Sequence, residues 1–325
     1  MALKGVNLGG WLVVERWMTP SLFEGLPATN EYELVQHAEG RARLKQHHLA
    51  FITESDWQWM ANDGIELVRL PVGYWVLEGD EPYIAAKKRL NWAFSMAKKY
   101  HIQILLDLHA APGAQNDADH SGSGAPHKGT RWLKSRYDQA ATINILEQLA
   151  QTYGHHPQLW GLQLLNEPTP GTWGLRLAWF YRSAYKKAVL HLRPGTYLVY
   201  SDAYKPWFLT NTFGWLRQRG YPAVMDVHLY YCFDPEHRRK SLGWYFRLAE
   251  KSRALLWLLH LQQPLIVGEW SGALTEVVDR ETTEEFLAIQ RHAYQNTLAT
   301  CYWSYKTEHD NAWNYRYMVQ TTPKH

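Results

Sequence analysis

Eight short apolar segments alternate with helical patterns along this chain, and that alternation constrains the fold more than any other feature. The segments are residues 4–8, 67–72, 102–108, 159–165, 197–201, 224–229, 265–268 and 300–303. Between them apolar residues recur every three to four positions, for example at 90–99 and 141–149, which predicts amphipathic helices. Strands that alternate with helices in this way predict an α/β fold of the (β/α)8 class, the TIM barrel.

The spacing of the segments predicts a single barrel domain over residues 1–325, with extended loops after two strands. No linker, low-complexity stretch or internal repeat divides the 325 residues. The widest gaps are residues 11–55, after the first strand, and residues 113–132, after the third. Residues 122–126 read Gly-Ser-Gly-Ala-Pro, a composition typical of a loop.

Two glutamates follow buried strands at positions suited to catalysis. Glu167 lies in Leu-Leu-Asn-Glu-Pro after the fourth strand, and Glu269 lies in Ile-Val-Gly-Glu-Trp after the seventh. A carboxylate at such a place is costly to desolvate unless it is hydrogen-bonded or functional. Catalytic groups of parallel barrels lie at the carboxyl ends of the strands, and paired carboxylates carry out glycoside hydrolysis. We therefore predict a retaining glycosidase with Glu167 as general acid/base and Glu269 as nucleophile, their carboxyl groups roughly 5–5.5 Å apart.

Other strands end in residues that would support this pair. Arg69 and Tyr230 are expected to keep Glu269 ionised and oriented, through charge and hydrogen bonding. His228 is expected to exchange protons near Glu167. Alternative interpretations are open for each residue alone, such as a helix cap for Glu167 and an ion pair inside the barrel for Arg69.

Asn166 and Trp303 are expected to contact the sugar itself. Asn166 would hydrogen-bond the 2-hydroxyl, an interaction that strengthens in the transition state of glycoside hydrolysis. Trp303, after the eighth strand, would form the floor under the ring that is cleaved. His109 follows the third strand, where a hydrogen-bonded core histidine is the simpler alternative.

Several longer motifs resemble glycoside hydrolase family 5, and most closely its exo-β-1,3-glucanase branch known from yeasts. They are residues 5–13 (Gly-Val-Asn-Leu-Gly-Gly-Trp-Leu-Val), 19–23 (Thr-Pro-Ser-Leu-Phe), 68–75 (Val-Arg-Leu-Pro-Val-Gly-Tyr-Trp), 107–113 (Asp-Leu-His-Ala-Ala-Pro-Gly) and 304–308 (Ser-Tyr-Lys-Thr-Glu). The resemblance spans nearly the whole chain. It implies a TIM-barrel enzyme with its acid and nucleophile after strands four and seven. The implied reaction is release of glucose from the non-reducing end of β-1,3-glucan or related β-glucosides.

The resemblance also implies which residues hold the sugar, although the loop after strand three differs from the family pattern. Glu15 is expected to hold the terminal glucose, with His109 at the same subsite. In the loop after strand three, Asn116 and His120 are expected to bind substrate. This loop departs from the family pattern, because Ala118 stands where an aromatic residue is usual and His120 where a sugar-binding asparagine is usual. Leaving-group and linkage preference therefore stay open.

Three alternatives to exo-cleavage of β-1,3-glucan remain. The first is endo-cleavage of β-1,4-glucan, the second is hydrolysis of β-1,6-glucan or another β-glucoside, and the third is a sugar-binding barrel without catalysis. An exo-enzyme is expected to have a pocket closed by the loops at 11–55 and 113–132. An endo-enzyme is expected to have an open groove.

Composition narrows the possible partners. A net charge of +3 without a basic stripe argues against nucleic acid or membrane as a main partner. The 17 tryptophans and 20 tyrosines favour a ligand with apolar faces, such as a sugar. We expect no cofactor, since a glycine-rich phosphate loop is missing, and no metal, since Asp117, Asp119 and His120 are better explained as a polar loop.

The remaining expectations concern cysteines, assembly and location. Two cysteines, Cys232 and Cys301, exclude a disulfide framework. We expect a monomer. The first residues lack the features of a signal peptide, so the location is left open between cytoplasmic for the chain as it stands and secreted or periplasmic if a signal was removed.

Overall fold

A closed barrel of parallel strands forms the centre of the protein. The computed structural model describes residues 1–121, 131–169, 174–207, 209 and 222–320, so the loop predicted at 122–126 lies outside the described residues. The strands are β1 (Leu3–Asn7), β2 (Leu67–Gly73), β3 (Gln103–Ala110), β4 (Leu159–Gln163), β5 (Tyr197–Ser201), β6 (Ala223–Tyr231), β7 (Leu265–Leu274) and β8 (Ala299–Tyr302). They pair in sequence order, and β1 closes the barrel on β8. The predicted (β/α)8 fold is confirmed, while the single domain over residues 1–325 stays a prediction.

Helices surround the barrel and connect successive strands. In the described residues they are α1 (Glu31–Leu34), α2 (Ala38–Ala50), α3 (Glu54–Asn62), α4 (Lys87–Tyr100), α5 (Arg131–Lys134), α6 (Arg136–Tyr153), α7 (Leu175–Ala188), α8 (Leu242–Gln262), α9 (Arg280–Tyr294) and α10 (Tyr315–Gln320). The periodic segments at 90–99 and 141–149 lie within α4 and α6. The long segment at 11–55 contains α1, α2 and a 3₁₀ turn at Pro20–Phe23. None of these helices is long and apolar enough to span a bilayer.

The interior of the barrel changes from apolar to polar along the strands. An apolar layer near the amino ends contains Leu67, Leu105, Val199, Val224, Ile266, Ala299 and Cys301. Side chains of a strand alternate between its two faces, so the inward positions recur every second residue. In β6 the inward series therefore runs from Val224 through Asp226 and His228 to Tyr230. The polar layer lies directly above the apolar one.

Four strands, β2, β3, β6 and β7, run beyond the carboxyl ends that the sequence predicts, which changes where some candidate residues lie. β7 extends to Leu274 instead of ending at Gly268, so Glu269 lies within the strand and not after it. His109 and Tyr230, which the sequence places just after the third and sixth strands, likewise lie inside β3 and β6. The apolar pattern stops early because the inward residues of these strands are polar and pair with one another. The strand itself continues through them.

Candidate active site

Arg69 lies on β2 at the floor of the polar layer. Its guanidinium contacts side chains that lie on, or directly after, β1, β3, β4 and β7. Its guanidinium is fully buried. Nε donates to Gln163 Oε1 (2.9 Å), Nη1 to Asn7 Oδ1 (2.9 Å) and Glu269 Oε1 (2.8 Å), Nη2 donates to Asn166 Oδ1 (2.7 Å), and Nη2 lies 3.1 Å from Asp107 Oδ2. Burial alone would lower the pKa of Arg69, but the carboxylates of Asp107, Glu269 and Asp226 outweigh it and raise the pKa further above its ordinary range. The floor of the site therefore carries a fixed positive charge.

Replacing Arg69 with methionine is expected to destabilise the fold, because it leaves several buried carboxylates without a counter-charge. Breaking a buried ion pair on one side costs about 3–5 kcal/mol. Urea unfolding of Arg69→Met should show a loss of that size. The matched exposed substitution, Arg239→Met, should change the unfolding free energy by less than about 0.5 kcal/mol. Equal stability of the two variants would contradict this account of Arg69.

Asp226 links the floor to the catalytic histidine candidate. Its Oδ2 accepts from Gln163 Nε2 (2.8 Å) and lies 3.1 Å from His228 Nε2, while Oδ1 accepts from the backbone N–H of Gly268 (2.7 Å). A Cβ at Gly268 would lie 2.1 Å from Asp226 Oδ1, so this position requires glycine. Neither Asp226 nor Gln163 was predicted from the sequence as a site residue. Asp226 could have been found from its position two residues before His228, because residues two apart on a strand face the same side.

Glu269 is held as a hydrogen-bond acceptor on both oxygens. Oε1 accepts from Arg69, and Oε2 accepts from the Tyr230 hydroxyl (2.8 Å). Burial raises the pKa of Glu269, against the opposing positive charges of His228 and Arg69. Because each oxygen receives a donor, the hydrogen bonds fit the ionised carboxylate. The structure thus brings together the three residues that the sequence analysis grouped here.

Glu167 lies at the mouth of the barrel with a left-handed backbone, at φ 40°. Its Oε1 is 2.6 Å from His228 Nδ1 and accepts from the Tyr204 hydroxyl (2.5 Å). Its backbone carbonyl accepts from Asn116 Nδ2 (2.9 Å), and Oε2 is 3.6 Å from His120 Nε2. Burial favours the neutral acid, but the hydrogen bond and charge of His228 outweigh burial and lower the pKa of Glu167.

His228 lies between carboxylates and carries the proton of this group. One ring nitrogen faces Glu167 and the other faces Asp226, and Nδ1 is also 3.5 Å from Glu269 Oε2. Burial lowers the pKa of His228, but the charges of Glu269 and Asp226, with the hydrogen bonds to Asp226 and Glu167, raise it well above its usual range. The raised pKa of His228 and the lowered pKa of Glu167 both favour a proton on the ring, across a 2.6 Å contact from Glu167.

The two glutamates lie close enough for one ring nitrogen to reach both. Within the described part of the chain, one group of side chains has its potential metal-ligand atoms close together, and it is formed by Glu167, His228 and Glu269. One ligand atom from each of these residues lies within 4.8 Å of the other two. Both ring nitrogens of His228 already face carboxylate oxygens, which argues for a proton-sharing group instead of a metal site. Asp117, Asp119 and His120 are not part of such a group.

A cavity of about 600 Å³ opens above this group. It is lined by Glu15, Trp17, Ala118, Asp119, His120, Glu167, Tyr204, Tyr230, Phe233, Glu269, Trp303 and Trp313. Its size suits a small ligand. The lining combines the carboxyl groups of Glu167 and Glu269 with many aromatic rings, as the composition led us to expect for a sugar site.

The predicted sugar-binding residues lie in or directly behind this lining. Glu15, His120 and Trp303 line the cavity. His109 is buried behind it, with Nδ1 2.6 Å from Asp107 Oδ2 and its ring stacked on Trp303 at 5.4 Å between centroids. Asn116 Nδ2 contacts His120 Nε2 at 2.8 Å. Asp107, which holds His109, begins the motif at residues 107–113, and no role of its own was predicted for it.

The first loop is tied down so that Glu15 enters the cavity. Glu15 forms an isolated β-bridge with Asn30, and its Oε2 accepts from Trp17 Nε1 (2.9 Å). The neighbouring backbone N–H of Val14 donates to the buried Glu31 Oε2 (3.0 Å). Burial raises the pKa of Glu15 to about 7, although His109 and Trp17 oppose that rise. Glu15 can therefore offer either a donor or an acceptor to a sugar hydroxyl near neutral pH.

Sequence analysis missed four aromatic residues of the cavity because none follows a strand directly. Trp17, Tyr204, Phe233 and Trp313 all lie in connecting loops. Trp17 packs on Trp313 at 5.2 Å between ring centroids, and Phe233 lies 6.0 Å from Trp313. In the sequence only the high aromatic content pointed to such residues, and a composition does not say which of the aromatic residues line the cavity.

Comparison with known proteins identifies the family of this chain. The family described as Cellulase (glycosyl hydrolase family 5) matches residues 35–309. The "probable glucan 1,3-beta-glucosidase A" of Aspergillus niger is 31% identical, over 96% of this chain and 84% of the relative. The glucan 1,3-beta-glucosidase of Kluyveromyces lactis is 29% identical, over 98% of this chain and 87% of the relative.

Solved structures share the fold at lower identity. A rutinosidase from Aspergillus niger superposes with a TM-score of 0.80 at 19% identity, over 98% of this chain and 97% of that one. An endoglucanase from Thermotoga maritima gives a TM-score of 0.64 at 15% identity, over 98% and 93%. At such identities the likeness concerns the barrel alone. The family match covers most of the chain, and with it the chain belongs to glycosyl hydrolase family 5 and is a glycoside hydrolase that acts on a glycan.

Proposed function

We propose that this enzyme is a retaining exo-acting β-glucosidase that releases glucose from the non-reducing end of β-1,3-glucan or related β-glucosides. The observation that carries the proposal is the close approach of Glu167 and Glu269, whose carboxylate oxygens lie within 4.8 Å in one cavity. Retaining enzymes hold their carboxyl groups about 5–5.5 Å apart, whereas inverting enzymes need about 6.5–9.5 Å to admit a water. The names of the two relatives favour the β-1,3 linkage.

In the first step Glu269 attacks the anomeric carbon while Glu167 gives a proton to the departing oxygen. The glycosidic bond breaks, a covalent glucosyl ester forms on Glu269, and the leaving group departs with the proton. In the second step Glu167 takes a proton from water, the hydroxide attacks the anomeric carbon, and Glu269 leaves as a carboxylate. Two inversions at one carbon yield β-glucose.

The charged groups around the pair suit these two roles. Arg69 and Tyr230 donate to Glu269 and support the ionised nucleophile before attack. His228 holds a proton next to Glu167 and can pass it across their 2.6 Å contact as the acid is consumed and restored. The low pKa of Glu167 in the free enzyme thus describes a pair that shares a proton, and the pair titrates as a unit.

Asn166 is oriented for the sugar 2-hydroxyl. Its Oδ1 accepts from Arg69, which fixes the amide and leaves Nδ2 as the group that can donate. The nearest partner of Nδ2 is His109 Nε2, at 3.5 Å, a contact too long to be strong. A hydroxyl placed there could take a better hydrogen bond.

An exo-acting pocket is favoured over an open groove because loops on several sides supply its lining. Glu15 and Trp17 come from the first loop, His120 from the third, Phe233 from the sixth and Trp313 from the eighth. We assign the bound glucose to the inner part, between Glu15, His120 and Trp303.

Products formed from laminarin, a β-1,3-glucan, test both parts of this proposal. We expect glucose alone throughout the time course, and NMR of the first product should show the β anomer before mutarotation. Mixed oligosaccharides would contradict exo action, and an α-configured first product would contradict retention. Faster release from cellulose or from gentiobiose than from laminarin would move the preferred linkage to β-1,4 or β-1,6.

A further inference from the structure

Tyr204 is an exposed aromatic residue that the protein holds against the candidate acid. It lies in the connection after β5, its side chain is 61% exposed, and it lines the catalytic cavity. Its hydroxyl donates to Glu167 Oε1 at 2.5 Å. A ring this exposed contributes little to the core, so packing does not account for its position.

The backbone around Tyr204 is strained and is held in place by several hydrogen bonds. Ala203 and Tyr204 both have left-handed backbones, at φ 49° and 57°, which is unfavourable for residues with a Cβ. Asp202 Oδ1 accepts from the Tyr204 N–H (3.0 Å), and Ser201 Oγ accepts from the Ala203 N–H (3.1 Å). The backbone N–H of Asp202 donates to the Asp226 carbonyl (2.9 Å). Strain that the surroundings over-determine in this way is typical of functional positions.

The contact has a defined chemical direction. Although most of the ring is exposed, desolvation of the hydroxyl where it meets Glu167, together with the charge of Glu167, raises the pKa of Tyr204 far above its ordinary range, so the hydroxyl stays protonated and donates. Tyr204 and His228 both contact Oε1 of Glu167, which leaves Oε2 towards the cavity, with His120 Nε2 at 3.6 Å. The carboxyl group is thereby oriented with one oxygen held and the other available to a departing oxygen.

We propose that Tyr204 is a positioning residue for the acid: its hydroxyl stabilises the carboxylate left on Glu167 when the acid proton goes to the departing oxygen. The inference rests on the proposed function of Glu167. A donor to the carboxylate strengthens the acid in the first step, because it favours the ionised product of proton transfer. It also holds Oε2 at the position from which the proton leaves. During this step the hydrogen bond from Tyr204 to Glu167 Oε1 becomes stronger, because Glu167 gains negative charge.

The test compares pH profiles and leaving groups in Tyr204→Phe, which keeps the ring and removes only the hydroxyl. Charged groups that face Glu167 from other elements are His228, His120, Glu269 and Asp202, and all are unchanged in this variant. The alkaline limb of kcat/KM, which reports the Glu167–His228 pair, should move up by about 0.5–1 pH unit. On substrates whose leaving group needs a proton, kcat/KM should fall by about 10-fold.

A substrate that needs no protonation separates a chemical role from a structural one. On 2,4-dinitrophenyl β-glucoside, the first step of Tyr204→Phe should match that of the unaltered enzyme in pre-steady-state measurements. The matched control is Tyr137→Phe, which removes the hydroxyl of a tyrosine 82% exposed outside the cavity lining and should change neither profile nor rates.

Two results would contradict the proposed role of Tyr204 without affecting the acid/base role of Glu167. An unmoved alkaline limb, or an equal loss on both kinds of substrate, would overturn the proposal for Tyr204. Failure of the proposed function is seen separately, as a Glu167→Ala enzyme that hydrolyses oligosaccharides as fast as the unaltered enzyme. The pair of variants therefore tells the two failures apart.

Discussion

Glutamine in place of Glu269 is expected to abolish turnover of β-glucosides almost completely. The amide has the shape of the carboxylate but no charge, so it cannot form the glucosyl ester of the first step. It also presents an NH2 group to Arg69 or Tyr230, both of which donate to Glu269. Loss of a covalent nucleophile lowers kcat by on the order of 10⁴-fold or more. Initial rates on 4-nitrophenyl β-glucoside and on laminarin should both show it.

The control for Glu269→Gln is Glu276→Gln, an exposed position on the loop after the same strand. That enzyme should keep its activity. Circular dichroism and binding of a glucose-like inhibitor should be retained in both variants, since the substitution at Glu269 keeps the side-chain volume. Substantial activity in folded Glu269→Gln would remove the nucleophile assignment.

Alanine in place of Glu167 is expected to give a loss that depends on the leaving group. General acid catalysis contributes about 10²–10⁴-fold, so kcat/KM should fall by that factor on oligosaccharides, whose leaving oxygen needs a proton. On 2,4-dinitrophenyl β-glucoside the first step needs no acid and should proceed. The second step should then be slow, because the same residue serves as the base for water.

Azide separates this role from a general structural defect. It is an anionic nucleophile that needs no base, and alanine at residue 167 leaves space for it. Turnover of the dinitrophenyl substrate by Glu167→Ala should rise with azide and yield β-glucosyl azide. The control is Glu250→Ala, at an exposed position on α8. Its rates on both substrates, with and without azide, should equal those of the unaltered enzyme. Equal losses on all substrates without azide rescue would contradict the acid/base assignment.

Strand positions explain why much of the site could be predicted from the chain. Inward residues of β6 recur every second position, and three of them, Asp226, His228 and Tyr230, are polar. A parallel barrel brings the carboxyl ends of all its strands to one face. Grouping Arg69, Tyr230 and Glu269 thus needed only the strand order, and their contacts follow that grouping. Strand ends were predicted less well, because polar inward residues hide the continuing strand.

Loop residues could not be placed by the same reasoning. Trp17, Tyr204, Phe233 and Trp313 reach the cavity through turns whose geometry depends on contacts distant in sequence. The turn at Tyr204 is an example, since it depends on the Asp202 side chain and on a backbone contact to Asp226. Neither contact leaves a periodic pattern in the chain. Ala118 and His120, in contrast, were recognised as departures in the sequence, and both line the cavity.

The sequence by itself determined the barrel, the strand order and the two glutamates, because hydrophobic periodicity is a local property that is written along the chain. Only the tertiary structure decided the protonation pattern and the hydrogen bonds of the pair. Arg69 and Glu269 are 200 residues apart in the chain yet 2.8 Å apart in space. The pKa of His228 is raised because Glu269, Asp226 and Glu167 converge on one buried ring. Electrostatic free energy depends on such distances and on burial, and neither exists until the barrel has closed.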